Sequence, residues 1–203
     1  MPTLIDSYSN TNASSVGYIM NGYRTKEYQS FTNLSSAYNL TYCTFYLYQY
    51  NSPTGNITAS LYAHSGTYGT SSVPTGTALA TSGAVSASGL STSASPVDFT
   101  FSTPYTMSAN TQYTIVLEFS GGDMTNRLAF NTDNTSPTHG GNTGFYDGSY
   151  TATPTIDMIF YVYGELPAVG PANLKTANGL AKASVKTRNG LAIASIKTWN
   201  GLA

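Results

Sequence analysis

Charge is scarce in this sequence. Only 8% of its 203 residues are Asp, Glu, Lys or Arg. So little charge would suit a disordered polar chain if aromatics were missing too, because disordered segments are poor in aromatic and β-branched residues. Here 17 residues are Tyr and 8 are Phe, so a packed chain is expected. Cysteine is nearly absent. Cys43 stands alone, which excludes an intrachain disulfide and a cysteine-based metal site. Its aromatic setting predicts a small buried residue. No run approaches the ~18 apolar residues of a membrane-spanning helix, so no membrane span is expected. Met1-Pro2-Thr3-Leu4-Ile5-Asp6 has neither a basic region nor a long apolar run, so no secretory signal is read there. A protein working outside a cell would then leave by another route, such as release of virus particles by lysis.

Acids are missing from the C-terminal end. Up to Glu165 there are nine acids against Arg24, Lys26 and Arg127, a balance of −6. Beyond it lie Lys175, Lys182, Lys186, Arg188 and Lys197 and no acid, a balance of +5. Such a basic tail suits an acidic partner, including a neighbouring copy's body or a nucleic acid. The plainer reading, and the one favoured, is an exposed edge strand kept soluble by lysines.

Catalytic signatures are also lacking. His64 and His139 are the only histidines. Both fall in Gly/Ser/Thr-rich stretches and read as exposed loop residues. No nucleophile-elbow sequence surrounds any serine, and the two histidines lack zinc-ligand spacing. Asp123, Asp133 and Asp147 lie in consecutive late loops, where oxygen ligands can hold Ca²⁺, but no calcium-loop motif is present and turn aspartates explain them better. Nothing selects a pair of glycosidase acids. There is no glycine-rich phosphate loop between a strand and a helix, hence no nucleotide site. The reading is of a protein without enzymatic activity, cofactor or metal.

What the chain does have is β-pattern. Tyr38 to Tyr50 is the strongest strand. Leu40, Tyr42, Thr44, Tyr46 and Tyr48 share one face, and Thr41, Cys43, Phe45, Leu47 and Gln49 share the other; both are apolar enough for a strand inside a sandwich or barrel. Residues 27–32, 56–63, 78–85, 97–101, 112–119, 127–131 and 156–163 follow as shorter candidates, with loops over 64–75 and 132–144. Residues 1–25 suggest a first edge strand or an arm. Eight or nine strands spaced by turn signals, with no three-turn amphipathic helix, predict an all-β antiparallel sandwich, jelly-roll-like. Residues 1–164 form this domain, 165–173 a Gly/Pro linker and 174–203 a repeat tail.

Several segments of the body, in this order, resemble a β-sandwich family frequent in phage and environmental surface and virion proteins. They are Leu4-Ile5-Asp6-Ser7-Tyr8-Ser9, Gln29-Ser30-Phe31-Thr32 and Pro74-Thr75-Gly76-Thr77-Ala78-Leu79-Ala80, then Ser108-Ala109-Asn110-Thr111-Gln112-Tyr113 with Ile115-Val116-Leu117, and Phe160-Tyr161-Val162-Tyr163-Gly164. The resemblance spans most of residues 4–164. It implies a non-catalytic role at an extracellular or particle surface and brings no catalytic residues.

The tail is an 11-residue repeat. Leu174-Lys175-Thr176-Ala177-Asn178-Gly179-Leu180-Ala181 returns as Val185-Lys186-Thr187-Arg188-Asn189-Gly190-Leu191-Ala192 and as Ile196-Lys197-Thr198-Trp199-Asn200-Gly201-Leu202-Ala203. It resembles Asn-Gly-Leu-Ala repeats at the C-termini of similar proteins. Asn-Gly favours the tight turn of a hairpin, which predicts a meander; one rung per repeat would instead build a small solenoid. Either way the apolar face lacks an internal partner large enough to cover it. The tail is therefore expected to join copies of the chain, or other structural subunits, through Val185, Asn189, Gly190, Leu191, Ile196, Trp199, Asn200 and Gly201.

The function expected from these features is a structural protein of a virus particle (decoration, fibre or minor capsid protein) or of a similar extracellular assembly. The alternative is a carbohydrate-binding or adhesive module. Tyrosine rings stack on the apolar faces of ligands, and Tyr68, Tyr146 and Tyr150, in loop-like contexts, are the first candidates for a surface glycan.

Overall fold

A computed structural model describes residues 1–168 and, beyond them, the backbone of residues 176–177, 180–181, 187–188 and 191–192. The chain divides into two compact units, Met1–Leu166 and Pro167–Ala203.

The first unit contains fifteen strands. In chain order they are β1 (Thr3–Tyr8), β2 (Ser15–Ile19), β3 (Lys26–Thr32), β4 (Tyr38–Tyr50), β5 (Asn56–Ser65), β6 (Val73–Thr81), β7 (Val85–Ser86) and β8 (Ser95–Thr100). They continue as β9 (Thr106–Met107), β10 (Gln112–Phe119), β11 (Arg127–Asp133), β12 (Thr143–Tyr146), β13 (Tyr150–Thr153), β14 (Asp157–Met158) and β15 (Phe160–Glu165). The helical content of this unit is two 3-10 turns, at 10–12 and 87–89.

These strands form two antiparallel sheets packed face to face, the sandwich expected from the turn spacing. The eight-stranded sheet runs β1-β15-β4-β11-β14, with β8 and β9 also on β4 and β2 on β11. The seven-stranded sheet runs β13-β12-β3-β10-β5-β6, with β7 on β5. Alternation along the strands builds the core. Cys43, Phe45 and Leu47 of β4 join Phe99 of β8, Phe130 of β11 and Phe160 and Val162 of β15. Ile57, Ala59 and Leu61 of β5 and Ile115, Leu117 and Phe119 of β10 meet them from the other sheet. The Cys43 thiol is fully buried, and loss of hydration pushes its pKa well up, as the small-residue reading requires.

Several element boundaries differ from the sequence reading. The 64–75 loop is shorter, because β6 begins at Val73 and pairs with β5 through Ser65↔Val73. The stretch read as one strand over 156–163 is split: β14 pairs with β11 and β15 with β1 and β4. The strands β2, β12 and β13 appear where Ser, Gly and Thr hid any apolar alternation.

In the second unit β16 (Thr176–Ala177) pairs antiparallel with β17 (Leu180–Ala181), and β18 (Thr187–Arg188) with β19 (Leu191–Ala192). Each pair flanks an Asn-Gly dipeptide of the sequence.

Candidate functional site

The outer face of the eight-stranded sheet carries tyrosines where a buried sheet would carry aliphatics. Once Cys43, Phe45 and Leu47 turn inward, the period of two sends Tyr42, Thr44 and Tyr46 outward. The same rule on β15 buries Phe160 and Val162 and presents Tyr161 and Tyr163. On β8 it turns Phe99 inward and leaves Pro96 and Asp98 outside. Register then assembles the group: Tyr163 lies opposite Tyr42, Tyr161 opposite Thr44, Thr44 opposite Asp98 and Tyr46 opposite Pro96.

These seven residues line an open trough of about 370 Å³. Tyr42 and Tyr163 stack with ring centroids 4.4 Å apart and planes 12° from parallel. Tyr46 and Tyr161 are tilted at 44°, with centroids 6.3 Å apart. Asp98 forms one wall. Its Oδ1 accepts a 2.6 Å hydrogen bond from Thr44 Oγ1, which fixes the carboxyl group, and its other oxygen has no hydrogen bond among the described residues. Burial raises the phenol pKa of Tyr42, helped by Tyr163 and Asp98; it does the same at Tyr163, helped by Tyr161 and Asp98. Both hydroxyls therefore stay protonated through the physiological range and can donate as well as accept. The trough combines flat apolar rings, neutral hydroxyls and one oriented carboxyl group.

Of the three tyrosines expected to bind, two are direct neighbours. Tyr146 and Tyr150 come together, with centroids 5.0 Å apart, but at the facing ends of β12 and β13 rather than in loops. Tyr150 also packs edge-on against Tyr28, at 5.7 Å. Tyr68 lies in the β5–β6 loop, 6.0 Å from the His64 ring. Of the expected tail residues, Leu191 is described by its backbone in β19, paired with Arg188. Val185, Asn189, Gly190, Ile196, Trp199, Asn200 and Gly201 lie outside the described residues.

The histidines are not the exposed loop residues that composition suggested. His64 belongs to β5, where its Nε2 lies 2.9 Å from Ser72 Oγ. The His139 side chain is only 8% exposed. Its Nδ1 accepts from the Gly141 N–H at 3.1 Å, with Gln29 Nε2 also at 3.1 Å, so the ring proton sits on Nε2, which donates to Asp6 Oδ1 at 3.2 Å. Gln29 is fixed in turn: Oε1 accepts from Met158 N–H and Nε2 donates to Asp157 Oδ1 at 3.1 Å. Both nitrogens of His139 are thus engaged, and neither is free to activate a hydroxyl as a catalytic triad requires. Asp133 ends β11 instead of sitting in an isolated turn. It accepts from Tyr8 Oη at 2.7 Å and Ser14 Oγ at 2.6 Å.

Fold and surface together define an antiparallel β-sandwich with a tyrosine-lined trough on one outer face. No protein-family model matches the chain, and no curated protein matches it.

Proposed function

We propose that this chain is a non-enzymatic, surface-displayed binding protein whose β-sandwich holds carbohydrate in the trough of Tyr42, Tyr46, Tyr161 and Tyr163. The trough itself carries the reading. A sugar ring has apolar C–H faces and a rim of hydroxyls, and it needs flat aromatic surface for the first and hydrogen-bonding groups for the second. The stacked and tilted tyrosines supply the surface, while Asp98 and the phenols supply the bonds. Titration against a glycan array tests it. Saturable binding is expected, and loss of one ring in Tyr42→Ala or Tyr163→Ala should weaken it roughly twofold to tenfold. Retained melting temperature in both variants assigns the loss to the trough. Absence of sugar binding, or binding indifferent to both substitutions, would overturn the reading.

A structural role in a virus particle or similar extracellular assembly is the second reading, and the repeat tail favours it. Antiparallel pairing on either side of two Asn-Gly steps is what a hairpin meander requires. A pair of strands this short is marginal alone, so the tail is expected to gain its stability from other copies or subunits. Removing residues 171–203 and measuring the mass of the purified species should reduce an oligomer to single chains; an unchanged mass would sink this role.

A further inference from the structure

The tyrosine face does not end at the trough. Along β4 the outward positions continue as Tyr48 and Tyr50, and the register with β11 places Ala129 opposite Tyr48 and Arg127 opposite Tyr50. Strand β2 adds Tyr18 on the far side of Ala129. Ala129 is fully buried although it faces outward between Tyr18 and Tyr48. From Tyr42 to Tyr50 the strand advances eight residues, roughly 26 Å at about 3.3 Å each. That length suits several linked sugar units rather than one.

Arg127 closes the far end. Its guanidinium carbon lies 4.2 Å from the ring centroids of both Tyr18 and Tyr50. The two rings, 6.3 Å apart and nearly perpendicular, fix the plane of the group between them. One of its nitrogens donates to the Met124 carbonyl. Its Nε is buried without a hydrogen-bond partner, and no acid pairs with it among the described residues. The other two cationic side chains of this unit each face a carboxyl group. Arg24 faces Glu27 at 3.5 Å, and Lys26 faces Glu118 at 2.9 Å. In a unit whose balance is −6, Arg127 is thus held by aromatic rings and left without a carboxylate among the described residues. A guanidinium donates charge-assisted hydrogen bonds to a carboxylate, and with Nε buried and one terminal nitrogen on Met124, the remaining Nη hydrogens are the donors left for it.

Taking the trough as a sugar site, we infer that its ligand is an acidic oligosaccharide, lying along β4 with one carboxylate held by Arg127. The charge of the unit argues for a single acidic sugar near one end. A heavily sulfated polymer would be repelled by the surrounding −6.

The test uses the full chain and an array bearing oligosaccharides that end in uronic or sialic acid, their carboxyl-reduced counterparts, and a sulfated polysaccharide. Wild type should prefer the acidic sugars to their reduced forms by roughly tenfold or more. Arg127→Gln should abolish that preference while still binding the reduced sugars, which also demonstrates that the variant is folded. Tyr42→Ala should weaken both. Comparison of the uronic and sialic series identifies which acid fits. Equal wild-type binding of acidic and reduced sugars, a preference that survives Arg127→Gln, or stronger binding of the sulfated polymer would overturn the inference and leave the trough reading standing. Failure to bind any sugar would overturn both.

Discussion

Glu27 is a carboxylic acid buried between the two sheets, with a side chain only 5% exposed. It lines a cavity of about 220 Å³ with Arg24, Phe130, Phe145 and Thr143. Burial pushes its pKa up to about 8, against the opposing pull of Arg24. Arg24 spends much of its cationic face on Phe145, 3.5 Å below its guanidinium carbon. An acid whose folded pKa is raised binds its proton more tightly in the native state. Its contribution to stability is therefore present below the unfolded value of about 4.3 and is lost as pH rises toward the folded one. Replacing it by Glu27→Gln should leave stability nearly unchanged at about pH 4 and raise it by a few kcal/mol near pH 8, read as a melting-temperature gap that widens with pH. Asp133 runs the other way. Hydrogen bonds from Ser14, Thr135 and Tyr8 hold its pKa well below the usual range. The stability it contributes is present above the unfolded value and lost as pH falls through the folded one. Asp133→Asn should therefore lower the melting temperature near pH 7, by an amount that shrinks below about pH 4. Neither environment was legible in the sequence. His139 and Asp6 meet across 133 residues of chain, and Gly/Thr-rich surroundings are equally compatible with an exposed loop. The tyrosine trough was half legible. The alternation of Tyr42, Tyr46 and Tyr48 was plain, but both faces of β4 are apolar, and only the packing of the second sheet against Cys43, Phe45 and Leu47 leaves the tyrosine face open.

Among the elements, those with clean alternation read best. The observed bounds of β4 and β10 are those of their sequence patterns, because buried β-branched and aromatic residues repeat there at a period of two. The β12–β13 hairpin went unread for a physical reason. Gly144 interrupts its alternation where Tyr28 and the partner strand approach the backbone. A Cβ on Gly144 would stand 2.2 Å from both the Thr151 carbonyl oxygen and Tyr28 Oη. Tyr28 Oη donates at 2.7 Å to the Ser72 carbonyl, tying the hairpin side of β3 to the start of β6. Contact rather than propensity thus demands glycine here, and contact is not written locally in a sequence. Gly144→Ala is expected to cost about 1–3 kcal/mol, seen as a lower urea midpoint with an unchanged slope. It should also disturb the Tyr146–Tyr150 pair at the hairpin end while leaving the sugar binding proposed for the trough intact, because the trough lies on the other sheet.

At the scale of the whole molecule, the two units differ in composition as well as in extent. Among the described residues, those of the hydrophobic core cluster lie between Ile5 and Val162, and the first unit ends at Leu166. Its edge strand β1 is secured by β15, and Met1's amino group lies 3.7 Å from Glu165, so the two ends of this unit are neighbours. A unit with its own core and adjoining termini is expected to fold alone. The division was visible beforehand as a change of sign: three cations against nine acids up to Glu165, then five cations and no acid. What composition could not convey is that β15, the last strand before that change, lies between β1 and β4. A truncation inside β15 should therefore unfold the sandwich, whereas one just after Leu166 should not. Expressed alone, residues 1–166 should melt within about 2 °C of the full chain, a shift of no more than roughly 1 kcal/mol. They should also retain the sugar binding proposed for the trough and, with a net charge of −6, stay soluble. If the shortened chain melts much lower while remaining a single species, the C-terminal residues stabilise the sandwich itself, and the division of labour between a binding body and an assembling tail fails. If it keeps its melting point and loses only its assembled mass, binding and assembly are separable properties of one short chain.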